Sequence, residues 1–288
     1  MVGGVTFNDL YLETRRRLRA EGIAAHDLEA RLIMSRATGK TREELLQISR
    51  RFVTDNAVIQ TVNDMVARRL GGEPIAYIVG GWEFYSLPLI IDESVLIPRV
   101  DTELLAELAI ALLKVREGRC RMLDLCSGSG CIGLAVAANV PDCRVVLSDN
   151  SPKALKLSRV NALKNRLTRN VSFIEADALK DPPKLLGMFD LVVSNPPYIP
   201  TSDLIGLEPS VRDYEPIHAL DGGEDGLDFF RAIAANWKTV INDGGHLAFE
   251  CGIEQAESLR AIMQENGFSS IKTIADTLGI ERVVVGKK

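Results

Sequence analysis

The chain has 288 residues, a net charge of −5, and 46% hydrophobic against 25% charged residues. That length carries one large domain plus a small one, and the composition excludes a disordered or fibrous protein. The acidic total argues against a non-specific nucleic-acid binder, and no apolar run approaches the roughly 18 residues of a membrane span.

No leader-like segment is recognisable, so a cytoplasmic location is expected. Cys120, Cys126, Cys131, Cys143 and Cys251 form no C-x-x-C pair and are odd in number. Neither a disulfide framework nor a metal site is therefore expected.

From the N-terminus the pattern is helical. Thr6 can cap a helix whose apolar face is Phe7, Leu10, Tyr11, Thr14 and Leu18, at helical spacing. Leu28, Leu32 and Ile33 start a second helix that Gly39 ends. Thr41-Arg42-Glu43-Glu44 is a capping box opening a third. Val58, Ile59, Val62, Met65, Val66 and Leu70 line a fourth, ended by Gly71-Gly72. A small helical domain over residues 1–74 follows from this pattern. Within it, Arg15-Arg16-Arg17-Leu18-Arg19 reads either as a solvated helix face or as a surface for an acidic partner or ribosomal RNA. Ile75 to Ile91 alternate as in a hairpin with Gly80-Gly81 at its turn, which makes residues 75–98 a linker. Trp82, Phe84 and Tyr85 there suit either core packing or the wall of a site.

Over residues 99–288 strand and helix signals alternate, as in an α/β domain with a mostly parallel sheet. Arg121 to Cys126 read as a buried strand, followed by Ser127-Gly128-Ser129-Gly130-Cys131-Ile132-Gly133, which contains G-x-G-x-x-G before an apolar helix. Such glycines permit close approach of backbone to ligand, and a helix N-terminus offers free N–H groups. Asp124, just before the glycines, can accept from a cationic amino group and would repel a pyrophosphate. The strand Arg144–Asp149 ends in a carboxylate able to take both hydroxyls of a ribose, a feature that NAD sites share. Val171 to Ala178 read as a strand and polar turn, where Asp177 can accept from an exocyclic amine beside the Ala178 N–H or stand as a solvated carboxylate.

The strand Phe189–Ser194 runs into Asn195-Pro196-Pro197-Tyr198. Two prolines remove two donors and stiffen the turn, and they push Asn195 out of the helical region. What remains is an acceptor pair, the Asn195 side-chain oxygen and the Pro196 carbonyl, suited to an –NH2 group. Tyr198 adds a flat face on which a planar group can stack. All these stations follow strands, and ligands of open α/β sheets bind at the carboxyl ends of strands. The last two strands are expected near His246 and Arg282, bracketing a helix over 254–265. His26, His218 and His246 are scattered and read as surface or satisfied histidines.

With these residues in view the chain resembles the class I S-adenosylmethionine-dependent methyltransferases, and more closely the release-factor glutamine methyltransferases (the HemK/PrmC family). Further segments carry the resemblance. They are Gly72 to Gly80 with Trp82-Glu83-Phe84, Val95-Leu96-Ile97-Pro98-Arg99 with Asp101-Thr102-Glu103, Glu208-Pro209, Gly222 to Gly226, and Glu281 to Gly286. Val100 stands where the family usually has a second proline.

The resemblance implies a Rossmann-like, seven-stranded methyltransferase domain with a reversed final strand, preceded by the helical domain and a β-hairpin. It implies S-adenosylmethionine as donor, with its methionine part over Cys126, Ser127, Gly128, Ser129 and Gly130, ribose at Asp149, and adenine near Asp177 and Ala178. Asn195, Pro196, Pro197 and Tyr198 would hold the acceptor, with Asn195 also touching the donor. That acceptor would be the glutamine amide in the Gly-Gly-Gln loop of a class I peptide-chain release factor, recognised through the helical domain, with N5-methylglutamine as product. Competing readings are a glutamine methyltransferase acting on a ribosomal protein, an amino-methyltransferase acting on adenine or guanine, and a non-enzymatic binding module. No stable nucleic-acid binding is expected, and Arg99 is left between orienting the cofactor and joining the domains.

Overall fold

The computed structural model describes residues 4–288. They form two compact units, one of residues up to Gly80 with Pro209–Tyr214, the other of Gly81–Glu208 with Glu215–Lys288.

The first unit is built on α1 (Phe7–Ala20), α2 (His26–Thr38), α3 (Arg42–Ile48), α4 (Asn56–Leu70) and α5 (Ile75–Val79). Thr6 with Asp9 and Thr41 with Glu44 form the reciprocal capping boxes of α1 and α3. Gly39, in the left-handed region, ends α2. Leu10 and Leu18 of α1, Ala30, Ile33 and Met34 of α2, and Val62 and Val66 of α4 are buried where these helices pack. Each large aliphatic chain so buried stabilises the unit by about 1.5–3 kcal/mol. Leu28, expected on the apolar face of α2, is 52% exposed, while Glu29 is buried at 5%. The reason is Arg69 on α4, whose guanidinium forks onto the Glu29 carboxylate at 2.7 and 3.2 Å; a paired, fully bonded carboxylate can enter a core that rejects a bare one. The arginine run is largely engaged within its own unit: Arg15 pairs with Asp27, Arg16 with Glu13, and Arg17 donates to Asn63.

The hairpin lies later than its expected span. Ile75–Val79 is a helix, stopped by Gly80 at φ 67°. Ile75, Ala76, Tyr77 and Ile78 are all buried, so this run does not alternate between two faces. The strands are β1 (Trp82–Phe84) and β2 (Leu87–Leu89). Their turn is Tyr85-Ser86, with φ 49° and 61°, the positive pair that a tight hairpin needs.

The second unit continues through α6 (Glu103–Lys114), β3 (Cys120–Leu125), α7 (Cys131–Asn139), β4 (Cys143–Asp149), α8 (Pro152–Lys164), β5 (Val171–Glu175) and β6 (Phe189–Ser194). It ends with α9 (Asp228–Asn236), β7 (Ile241–Glu250), α10 (Ala256–Glu265), β8 (Ser269–Ala275) and β9 (Glu281–Lys287). One seven-stranded sheet runs β5-β4-β3-β6-β7-β9-β8. Only β9 is reversed, pairing antiparallel with both β7 and β8. The expected pair of closing strands thus omitted β8. It is an edge strand with no buried residue, so it lacks the apolar alternation that marks a strand in sequence. α7 and α8 pack on β4, and on the sheet's other face α9 and α10 enclose Phe230, Trp237 and Phe249. Phe230 meets Phe249 edge-on, centroids 5.3 Å apart, a favoured aromatic geometry. No helix among the described residues is long and apolar enough to cross a membrane.

Candidate active site

The chain leaves β3 for β4 and β5 on one side, then returns to β6 on the other. The sheet order therefore reverses between β3 and β6, the crevice where ligands of such sheets bind. Leu125 is in register with Ser194, and the Ser194 hydroxyl donates to the Leu125 carbonyl at 2.9 Å. This sets the loop after β3 beside Asn195. A cavity bordering about 830 Å³ of empty space opens there.

Cys126, Ser127, Gly128, Ser129, Asp149, Ala178, Asn195 and Pro197, all expected at the site, line it. Asp124, Gly130, Asp177, Pro196 and Tyr198 do not. Asp124 is wholly buried and its Oδ2 accepts from the Gly133 N–H at 2.8 Å. It thus braces the turn into α7 through Oδ2, while its Oδ1 is buried without a partner. Its burial, opposed by that one bond, pushes its pKa up to about 7. Gly133 is obligatory, because a Cβ there would sit 2.2 Å from Leu147 and 3.1 Å from Asp124. Asp177 faces its own turn, accepting from the Leu179 N–H at 3.0 Å and pairing with Lys180 at 3.2 Å. Ala178 remains at the cavity, fixed by the Trp237 indole N–H, which donates to its carbonyl at 3.0 Å.

Asp149 ends β4 with both oxygens in use: Oδ2 accepts from the Gly128 N–H at 2.8 Å and Oδ1 from the Ser151 N–H at 2.9 Å. Each oxygen keeps a further lone pair for a ligand hydroxyl. Asn195 donates its Nδ2 to the Thr102 hydroxyl at 3.3 Å, which leaves Oδ1 as the acceptor available at the cavity. Tyr198, after the two prolines, is partly buried and packs against the hydrophobic core, outside the cavity lining. Burial pushes its hydroxyl pKa up. Trp82, Phe84 and Tyr85 are likewise absent from the lining.

The comparisons with known proteins agree with this architecture. Residues 9–80 match the model of the PrmC N-terminal domain, and residues 101–204 that of the methyltransferase small domain. The release factor glutamine methyltransferase of Geobacter sulfurreducens is 41% identical over 276 residues, covering 95% of this chain and 94% of that one. The chain belongs to the release factor glutamine methyltransferase family. The Agrobacterium fabrum member is 34% identical over 289 residues, covering 99% of each chain. The catalytic domain of hMettl16 shares the fold, with a TM-score of 0.56 and 16% identity over 70% of this chain and 76% of its own.

In this release factor glutamine methyltransferase, several lining residues escape a reading by motif. Ser94, Val95, Leu96, Pro98 and Thr102 arrive from the segment before α6, His218 and Ala219 from the stretch between β6 and α9, and Phe229 from the start of α9. Burial raises the Asp149 pKa, opposed by the Ser151 and Gly128 N–H groups and by His218, expected to be remote. The Ile-Pro-Arg segment was legible as a family signature, but only the fold shows that it forms a wall. Arg99 is engaged with Glu215, whose carboxylate also accepts from the Ile97 N–H at 3.1 Å. No lysine or arginine lines the cavity. The thiols nearby are inert, since burial pushes Cys131 up to about 12 and Cys126 higher still.

Proposed function

We propose that this cavity binds S-adenosylmethionine and aligns with it the side-chain amide of a release-factor glutamine, giving N5-methylglutamine in the Gly-Gly-Gln loop of class I peptide-chain release factors. The observation that carries the reading is Asn195, held by Thr102 at the cavity where the loops after β3 and β6 meet.

The lining fits this donor. Gly128 lines the cavity, and a Cβ there would meet no protein atom within 4 Å, which leaves room for a ligand to approach the backbone. The Ser127 hydroxyl is buried and has no partner. Among the described residues Asp149 is the only acidic residue of the lining and no lysine or arginine lines it, which suits a cationic ligand and disfavours a phosphate-rich one. When bound, S-adenosylmethionine supplies a methyl group on a sulfonium, whose sulfur departs as a neutral thioether.

The chain's own work is binding and alignment. Asp149 takes the ribose hydroxyls while the Gly128 and Ser151 N–H groups hold it in place. Ala178 contributes to the adenine end. Asn195 Oδ1 and the Pro196 carbonyl, which adjoins the lining residue Pro197, accept the two amide hydrogens of the substrate. An amide nitrogen is a weak nucleophile because its lone pair is shared with its carbonyl. Fixing both hydrogens favours pyramidalisation, and alignment supplies up to roughly 7–11 kcal/mol of the barrier reduction. The same acceptors stabilise positive charge as it grows on nitrogen. The new N–C bond uses the nitrogen lone pair, and the nitrogen then releases its proton to water. Neither the buried thiols nor a dedicated base is needed.

The test is methyl transfer from labelled S-adenosylmethionine to a purified class I release factor, with the same factor lacking its Gly-Gly-Gln glutamine alongside. Ribosomal protein, ribosomal RNA and DNA serve as parallel acceptors. Label on the intact factor alone is expected. Label only on another acceptor overturns the reading.

A further inference from the structure

We propose that Glu250 is a positioning residue for methyl transfer, fixing which end of the Asn195 side chain faces the bound amide. The inference rests on the role given to Asn195 above.

Glu250 closes β7, one residue beyond Phe249, which is in register with Ser194 on β6. It therefore stands beside Asn195 on the neighbouring strand. Glu250 is 3% exposed and its Oε2 is buried without a hydrogen-bond partner. Thr102 and Asn195 lie close enough to its carboxylate to favour its charged form, against the burial that disfavours it. Thr102 is 2% exposed and also accepts from Asn195 Nδ2. A buried carboxylate thus lies behind the one side chain expected to touch the reacting nitrogen.

An asparagine side chain is nearly symmetric in shape, and its surroundings decide which end is oxygen. An ionised carboxylate only accepts. It draws the Thr102 O–H and the Asn195 Nδ2 inward, and Oδ1 is left to meet the substrate. Reversed, Asn195 would present N–H groups to an amide that itself brings N–H groups, and the site would repel its substrate. A neutral amide in place of the carboxylate removes this direction, because it can donate to Asn195 Oδ1 as readily as accept. The carboxylate also places negative charge behind the acceptor as the nitrogen becomes positive, in a site where charge is poorly screened.

Glu250 titrates where this matters, since burial pushes its pKa up to about 7. The groups facing it are Asp101 before α6, Arg282 on β9, Tyr198 after β6, Cys131 on α7 and its neighbour Cys251. Burial keeps the tyrosine and both cysteines protonated near neutrality, and Arg282 stays charged. Asp124 titrates in the same range but faces Gly133. Turnover should therefore fall as pH drops through about 7 and Glu250 takes up a proton.

The test compares full-length wild type with Glu250→Gln, Thr102→Val and Asn195→Ala, using an intact release factor. Glu250→Gln keeps the volume and is expected to lower kcat about 100-fold while leaving KM and S-adenosylhomocysteine affinity within about twofold. The acidic limb of the kcat profile should vanish in that variant. A purely structural residue would move the melting temperature and leave the limb in place. Wild-type kcat in Glu250→Gln, or a retained limb, overturns the inference. If Asn195→Ala is inactive at the same time, the function proposed above still stands; if Asn195→Ala is active, that reading falls as well. Should Glu250→Gln fail to fold, Thr102→Val decides: loss of kcat at constant KM supports the network, and unchanged kcat overturns it.

Discussion

Asn161 holds Ile90 by both of its backbone polar groups. Its Oδ1 accepts from the Ile90 N–H at 2.6 Å and its Nδ2 donates to the Ile90 carbonyl at 3.0 Å. The same Nδ2 donates to the Ser129 carbonyl at 3.0 Å. One wholly buried amide on α8 therefore ties the exit of the hairpin to the glycine loop. Asn165, one turn on, adds a bond to the Pro88 carbonyl at 3.1 Å. The hairpin is a brace on the sheet domain.

Asn161→Ala should strand an N–H and two carbonyls and cost at least about 3 kcal/mol of stability, since each unsatisfied buried group costs about 1–3. Because Ser129 loses its anchor, affinity for S-adenosylhomocysteine should fall too. Urea denaturation and titration calorimetry read the two effects. Wild-type affinity in a folded Asn161→Ala protein would show that the loop does not depend on this tie.

Gly133→Ala should be among the most damaging single-methyl changes in the chain. The new carbon meets Leu147 at 2.2 Å and Val145 at 3.0 Å, and overpacking of this kind costs about 1–3 kcal/mol. Thermal melting of the purified variant checks it; an unchanged melting temperature would contradict the contact.

Asp149→Asn should weaken S-adenosylhomocysteine binding by about 10–100-fold, because an amide nitrogen then faces a backbone N–H and the ribose loses a charged acceptor. Tyr198→Phe, by contrast, should leave kcat near wild type, since that ring lies in the core and outside the cavity lining. Steady-state kinetics on both variants separates the residue that meets ligand from the one that fills space.

Stability should depend on pH through Asp124. Its folded pKa, about 7, lies above the ordinary carboxylate value of 3.8. Between those values the native state binds more protons than the unfolded one, so stability falls as pH rises through this window and levels off above it. Asp124→Asn, which can still accept from the Gly133 N–H, should reduce that slope, leaving the part that Glu250 contributes through its own pKa of about 7. Denaturation midpoints at several pH values would show it, and an unchanged slope would place the proton elsewhere.

The sequence made the donor side of the site legible because each part follows a strand at a motif: the glycine loop, Asp149, Ala178 and Asn195. Periodicity and caps likewise placed α1 to α4. Three kinds of feature stayed hidden. β8 lies at an edge and buries nothing fully, so no apolar pattern marks it. Tyr198 and Asp177 were placed by motif membership, yet side-chain direction depends on how the turn leaves the strand. Thr102, Asn161, His218 and Glu250 come from segments distant in the chain, and only the strand order and the register of β6 with β7 bring them to one edge.

The division of labour between strands has a further consequence. Apart from Asn195, everything assigned to the donor issues from β3, β4 and β5, whereas the acceptor is met by the turn after β6 and the stretch leading to α9. These two sets of loops share no residue. An ancestral scaffold could therefore exchange one class of acceptor for another by rewriting the second set around Asn195, with the donor's berth inherited intact.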